Sequence, residues 1–408
     1  MKKNVIKNII MLYGYSIAKI VFPLITLPYL TRVLSVDMYG MVSYVKTLRT
    51  YMQLIVDFGF LLSGTRDIVK ARDDKKKLGE VAGDIFLARL ILVAGAFVLI
   101  VVLANVIPIL QNFKLYTYIS FIPVALTIFL FDYIFRGIEK MEIISSRFII
   151  TKTISTAFTF VFIRSDADVL WIPILDIIGT LVAIALVIIE LKKQGIVIKI
   201  TALSNAWKKL KESAIYFLSN IASTAFNALN TLLIGFFLMP SDVAYWSICI
   251  MLISTIQALY SPITDGVYPD MVKTKSLSQI KKMLLIFMPI VLAGCVFSFF
   301  IAKYVLLIIG GAKYVEATTL FRCLIPVLFF SFPAMLVGWP TLGAIDKAAE
   351  VTFTTIFSAA FQVAGLVVLG LSGNFTLINI AILRCITEVI LLGSRSFFVR
   401  KYNSLFVH

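Results

Sequence analysis

Long apolar runs separated by short polar segments make up most of the chain. A helix needs roughly 20 apolar residues to cross about 30 Å of hydrocarbon. Twelve runs approach or exceed that length, at 8–31, 41–63, 84–107, 115–135, 148–163, 170–191, 213–238, 244–266, 283–309, 317–339, 351–371 and 375–396. The pattern therefore predicts an all-α integral membrane protein of about 12 transmembrane helices.

The longest polar stretch beyond the first 80 residues lies near the middle, in KKQGIVIKITALSNAWKKLKE, residues 192–212. It contains an amphipathic helix in which Leu203, Trp207 and Leu210 oppose Lys208 and its basic neighbours, a pattern typical of a membrane surface. We predict an N-terminal six-helix bundle at 1–191, a cytoplasmic amphipathic linker at 192–212 and a C-terminal six-helix bundle at 213–408.

The two halves resemble each other weakly at an offset of 204 residues, where VDMYGMVSY (36–44) aligns with PSDVAYWSI (240–248). Two six-span halves of this kind form a parallel repeat, related by an axis along the membrane normal. Such an architecture predicts a substrate cavity between the two bundles.

Composition supports a membrane protein, since 60% of residues are hydrophobic and 15% are charged. A soluble chain is about half apolar and a quarter charged. The net charge of +16 comes from basic residues concentrated in alternate short loops, as the positive-inside rule requires, so we expect no nucleic acid partner. This asymmetry predicts that both termini are cytoplasmic. The basic N-terminus runs into the first span without a small-residue cleavage site, so we expect a retained helix.

The one histidine is terminal, and the four cysteines lie in separate apolar runs without metal or disulfide spacing. We therefore expect no metal, no cofactor and no histidine-based chemistry.

Charged residues inside the spans are the candidates for function. A charge at mid-bilayer costs at least about 2.5–3.5 kcal/mol, so it normally faces protein or water. In the second span, polar residues spaced three or four apart form one stripe on a helix. These are Ser43, Lys46, Arg49, Gln53 and Asp57. With the basic residues of other spans they predict a central cationic cavity that binds substrate through Lys19, Lys46, Arg49, Gln53, Arg89, Lys152, Arg322 and Arg384.

A cationic cavity favours an anionic ligand, because guanidinium groups bind phosphate oxygens in bidentate fashion and ammonium groups add point charge. Acidic residues in the spans either neutralise this cavity or bind a coupling ion, Na⁺ or H⁺. They are Asp57, Asp132, Asp176, Asp265 and Glu388. Structural interpretations also stay open, since Arg89 and Lys152 can snorkel to the cytoplasmic boundary. Arg384 and Glu388, one turn apart, can form a structural ion pair.

Three segments carry a resemblance to a family. FPLITLPYLTRVLSVDMYG (22–40), VDFGFLLSGTRDIVKARDD (56–74) and FRGIEKM (135–141) resemble the Wzx-type polysaccharide flippases. That family belongs to the superfamily of MATE multidrug exporters and lipid II flippases. The resemblance implies two six-helix bundles around a cavity and alternating access. It also implies translocation of undecaprenyl-diphosphate-linked oligosaccharide across the bacterial inner membrane for O-antigen or capsule synthesis. A monomer that works beside a polysaccharide polymerase and a chain-length regulator is the expected assembly.

Three other functions compete with this interpretation. A cation-coupled MATE-like exporter usually carries cationic drugs, so a positive cavity counts against it. A membrane-embedded polymerase or acyltransferase is disfavoured because the chain has no internal histidine and no large outer loop. A structural scaffold for glycan assembly is also disfavoured, because it does not need charged residues inside its spans.

The loop charges predict the topology. We expect cytoplasmic positions for Lys75, Lys209 and His408, and outer positions for Lys114 and Ser372. Single cysteines introduced at these sites in a cysteine-free variant, treated with a membrane-impermeant maleimide on intact cells, test this. Labelling at 75 or 209 from outside would contradict the span count.

Overall fold

The computed structural model describes residues 3–407, with the side chains of 3–10, 12, 13, 219 and 222–228 outside the described set. Within residues 3–407 the chain is helical nearly throughout, and its only extended pairing is one bridge between Ser276 and Val407. The all-α prediction is confirmed. His408, one of the predicted cytoplasmic sites, lies outside the described residues.

The helices fall into two compact units, Met1–Ile221 and Ala222–His408. The first unit holds α1 Lys3–Val33, α2 Val36–Asp57, α3 Phe60–Ala71, α4 Lys75–Val106, α5 Pro108–Gln111, α6 Lys114–Leu126, α7 Asp132–Gly137, α8 Met141–Phe162 and α9 Trp171–Gln194. Helix α10, Leu203–Phe237, contains the boundary. The second unit continues with α11 Pro240–Ala258, α12 Ser261–Thr274, α13 Leu277–Gly310, α14 Thr318–Leu336, α15 Ala348–Leu371 and α16 Leu377–Lys401.

Nine helical segments of the described residues are long and apolar enough to cross a membrane. Helices α2 and α8 fall short of that hydropathy because polar and charged residues interrupt them. Helix α10 includes side chains outside the described set. These three bring the long helical segments of residues 3–407 to twelve, in agreement with the predicted number.

The helix order repeats between the units at the predicted offset. Helix α11 begins 204 residues after α2, and α14 begins 204 residues after α6. Local signals fix such helix ends: Ser35 caps α2 by accepting a hydrogen bond from the Met38 amide, and Phe58 ends it in a left-handed conformation. The internal repeat seen weakly in sequence is therefore a repeat of secondary structure.

Large apolar side chains are exposed along many helices, including Val98 at 62%, Phe300 at 69% and Leu371 at 85%. A soluble protein rarely exposes so many contiguous apolar groups. Lipid is the solvent that suits these surfaces, as expected for a multi-pass membrane protein.

The connector between α9 and α10, which we define as residues 195–202, packs against α4. The Lys199 amide donates a hydrogen bond to the Gly79 carbonyl, 3.0 Å away. A Cβ at Gly79 would lie 2.0 Å from the Val197 carbonyl oxygen, and one at Gly83 would lie 2.1 Å from that of Lys199. Gly79 and Gly83, one turn apart, thus form a groove on α4 for the connector, and any side chain at these positions would collide with the connector backbone.

Side chains secure the connector and the start of α10 to the first unit. Thr201 Oγ1 donates to Asp84 Oδ1 at 2.5 Å, and Lys209 Nζ lies 2.6 Å from Asp67 Oδ2. Leu210 is buried. The segment predicted as a linker, 192–212, thus comprises the end of α9, the extended connector and the start of α10. The predicted domain limits stay a prediction.

Replacing Gly83, which lies in this groove, and Gly95, which lies outside it, should have opposite effects on thermal stability, although both belong to α4. Gly83→Ala should displace the connector, because the added methyl collides with backbone. Gly95→Ala meets nothing within 4 Å, and replacing an interior helical glycine by alanine stabilises by about 1 kcal/mol. We expect Gly83→Ala to lower the melting temperature in detergent and to accelerate maleimide labelling of Thr201→Cys. Equal behaviour of the two alanine variants would contradict this packing.

Candidate functional site

Helices α1, α2, α6, α8 and α9 enclose a cavity of about 570 Å³ inside the first unit. Its described polar lining consists of Lys19, Thr26, Lys46, Arg49, Thr50, Gln53, Tyr116, Lys152, Ser155, Thr156, Thr159 and Asp176. Its apolar lining consists of Ala18, Phe22, Pro23, Leu30, Val42, Val124, Phe148 and Ile172. Of the eight predicted substrate-binding residues, five line this cavity: Lys19, Lys46, Arg49, Gln53 and Lys152.

The helical repeat explains how α2 supplies most of these groups. Lys46, Arg49 and Gln53 are three and four residues apart, so their side chains leave the same face of the helix. Thr50 lies between them and also lines the cavity. Helix α8 faces this stripe with Lys152 and with hydroxyl groups at one-turn spacing.

One carboxylate joins two of the cations. Asp176 of α9 lies 2.7 Å from Arg49 Nη1 through Oδ2, and 3.0 Å from Lys152 Nζ through Oδ1. The side chain of Asp176 is 16% exposed, against 22% for Arg49 and 40% for Lys152. This cluster links α2, α8 and α9 and keeps both cations within reach of the cavity.

Lys19 and Lys46 also line the cavity, but no described carboxylate neutralises them as Asp176 neutralises Arg49 and Lys152. Neither ammonium forms an ion pair with a carboxylate of the described residues; Lys19 lies over the Tyr15 ring, 4.5 Å from its centroid. Among described residues the lining thus carries four basic groups and one acidic group. The cavity has a surplus of positive charge, which suits an anionic ligand.

Arg89 and Asp57 lie outside this lining and form a structural network. Arg89 Nη2 lies 2.7 Å from Asp57 Oδ1, while its Nε donates to the Val56 carbonyl at 3.2 Å. Gln53 Nε2 donates to Asp57 at 2.9 Å and to Thr127 Oγ1 at 3.1 Å. Arg89 therefore holds α4 against the end of α2 and does not snorkel. Its predicted part in substrate binding stays a prediction.

Asp132 has a partner that sequence analysis missed. Arg147 pairs with Asp132 and donates to the Leu130 carbonyl at 3.0 Å. Its position next to the apolar run that starts at Phe148 does not distinguish Arg147 from a basic residue of a cytoplasmic loop. Its place six residues inside α8, which begins at Met141, makes it a buried residue.

The other predicted site residues belong to the second unit. Arg384 Nη2 lies 2.8 Å from Glu388 Oε1 on the same helix, and both residues are buried. Arg322 Nε donates to the Phe299 carbonyl at 3.0 Å. Asp265 is exposed on α12. The roles of all four in binding or coupling stay predictions.

Comparison with known proteins identifies the family of the chain. The family described as "Polysaccharide biosynthesis protein" matches residues 5–275. The chain belongs to this family. It is 24% identical over 414 residues to the "Putative O-antigen transporter" of Escherichia coli (strain K12), covering 100% of this chain and 99% of that protein. It is 27% identical over 280 residues to the protein of that name from Shigella dysenteriae, covering 68% and 70%.

Solved structures share the fold. The lipid II flippase MurJ, in an inward closed conformation, matches with a TM-score of 0.69 at 13% identity, over 97% of this chain and 87% of MurJ. An inward-facing multidrug resistance MATE transporter of the MOP superfamily matches with a TM-score of 0.65 at 14% identity, over 95% and 99%. The predicted polysaccharide family and the prediction of a transporter are confirmed, and the solved structures show that the chain has the fold of MATE transporters and of a lipid II flippase.

Replacing a basic residue of the structural network, such as Arg89, should destabilise the protein more than replacing a basic residue of the cavity lining, such as Lys46. Arg89→Ala removes a donor from the buried Val56 carbonyl and the ion pair to Asp57, and leaving a buried acceptor without a donor costs on the order of 1–3 kcal/mol. Lys46→Gln breaks no ion pair and should leave the melting temperature in detergent unchanged or slightly raised. Comparable losses in both variants would contradict the division between structural and cavity-lining cations.

Proposed function

We propose that the protein moves undecaprenyl-diphosphate-linked oligosaccharide repeat units from the inner to the outer leaflet of the bacterial inner membrane, by alternating access, for O-antigen or capsule synthesis. The supporting observation is the convergence of Lys19, Lys46, Arg49 and Lys152 on one cavity with a single lining carboxylate among the described residues. Cytoplasmic termini, coupling to Na⁺ or H⁺, and work beside a polymerase and a chain-length regulator belong to the same proposal.

The charges favour a diphosphate head group. Arg49 presents a planar guanidinium that matches phosphate oxygens, and the ammonium groups add positive charge without fixed direction. Lys19 and Lys46 form no ion pair with described carboxylates, so an anionic ligand supplies the missing counter-charge. A cationic drug would find no free counter-charge among the described lining residues, because their single carboxylate, Asp176, already binds two cations.

The rest of the lining suits the sugars nearest the diphosphate. Hydroxyl groups of Ser155, Thr156 and Thr159 lie along α8, and the rings of Phe22 and Phe148 provide apolar surface. Sites of this kind combine apolar and aromatic walls with a few polar groups, and they occupy roughly 300–1,000 Å³. A cavity of about 570 Å³ falls in that range.

The relatives support the same class of substrate. The two similar proteins are named as O-antigen transporters, and one solved structure of the same fold is a lipid II flippase. Fold alone does not decide the substrate, since drug exporters share it. The charge of the cavity is therefore the feature to test.

A charge reversal tests the sign of the ligand. Lys46→Glu should reduce transport of lipid-linked oligosaccharide in proteoliposomes more than Lys46→Gln, because a glutamate repels a phosphate whereas a glutamine only removes an attraction. For a cationic dye the order should invert. Both variants must reach the wild-type protein level, since misplaced membrane charge also disturbs folding.

Lys193 provides the matched control, because it is an exposed lysine in the last turn of α9, outside the cavity lining. Lys193→Glu and Lys193→Gln should transport alike. If glutamate at position 46 supports oligosaccharide transport as well as glutamine does, the cavity does not bind the diphosphate.

A further inference from the structure

Asp176 is the lining carboxylate around which the cavity cations gather. Its two oxygens serve different cations on different helices, Arg49 of α2 at 2.7 Å and Lys152 of α8 at 3.0 Å. A phosphate group engages cations in the same way, with separate oxygens for separate donors. The carboxylate therefore occupies the position that an anionic ligand would take between these two side chains.

Two consequences follow for a diphosphate that enters the cavity. It must share or take over donors that Asp176 already uses, and its charge is repelled by the carboxylate at short range. Removal of that carboxylate would leave four lining cations among the described residues with no lining acid to oppose them. A transporter with such a site would bind its substrate tightly and release it slowly, and transport needs release as much as binding.

We propose that Asp176 is an internal counter-ion that competes with the substrate diphosphate for Arg49 and Lys152, and so keeps binding weak enough for release. This inference rests on the proposed function, because it assumes an anionic head group in the cavity. Asp176 acts through its two cationic partners and is a positioning residue in that sense. The role differs from that of Asp57, whose carboxylate is paired with Arg89 outside the lining.

The test measures binding and turnover separately. Inorganic pyrophosphate is titrated into the full-length detergent-solubilised protein, and transport of lipid-linked oligosaccharide is followed in proteoliposomes. Asp176→Asn should bind pyrophosphate roughly tenfold more tightly, equivalent to about 1.4 kcal/mol, and should turn over more slowly at saturating substrate. Asp176→Glu, which keeps the charge, should stay near wild type in both measurements. Asp176→Ser is a second neutral variant with the same expected outcome, in case the asparagine variant does not accumulate.

The chain offers a closely matched control in Asp67. This carboxylate also lies between an arginine and a lysine, 3.1 Å from Arg66 Nη2 and 2.6 Å from Lys209 Nζ, and its side chain is 11% exposed. It belongs to the same unit but does not line the cavity. Asp67→Asn should leave the affinity for pyrophosphate unchanged, which separates a local effect of Asp176 from a general loss of negative charge.

The outcomes distinguish this inference from the proposed function. Unchanged or weaker pyrophosphate binding in the neutral variants at position 176 would overturn the counter-ion role and leave the anion site intact. No pyrophosphate binding by wild type or by any variant would overturn both. Tighter binding in Asp67→Asn as well would also overturn the specific role of Asp176.

Discussion

The cost of placing charge in a membrane-spanning helix constrains this structure more than any other interaction. A basic side chain at mid-bilayer costs at least about 2.5–3.5 kcal/mol unless it faces protein or water. Helices α2 and α8 carry Lys46, Arg49 and Lys152 along their length. Their packing with α1, α6 and α9 around a polar cavity removes that cost, and leaves the apolar faces of the helices for lipid.

The ionic groups of the first unit serve two purposes, and one residue connects them. Arg89 and Asp57 tie α4 to α2, whereas Arg49, Lys152 and Asp176 surround the cavity. Gln53 lines the cavity and also donates to Asp57. Gln53 is therefore in contact with both groups of charges.

Fold and function are determined at different levels in this protein. At 13–14% identity the chain shares its fold with a lipid II flippase and with a multidrug resistance transporter, two proteins named for different classes of substrate. The helical scaffold thus accommodates several classes of substrate. In this chain the charges of the cavity come from a few residues on α1, α2, α8 and α9.

The sequence by itself determined the span number, the all-α class and the polar stripe of α2, because hydropathy and helical periodicity are local properties. It also gave five of the side chains that line the cavity. Only the tertiary structure decided which cation meets which carboxylate: Arg49 pairs with Asp176, 127 residues away, while Arg89 pairs with Asp57. Periodicity fixes the face from which a side chain leaves its helix, but not the helix that packs against that face. For the same reason hydropathy does not distinguish Arg147, at the edge of an apolar run, from a loop charge, whereas the packing of α8 buries it.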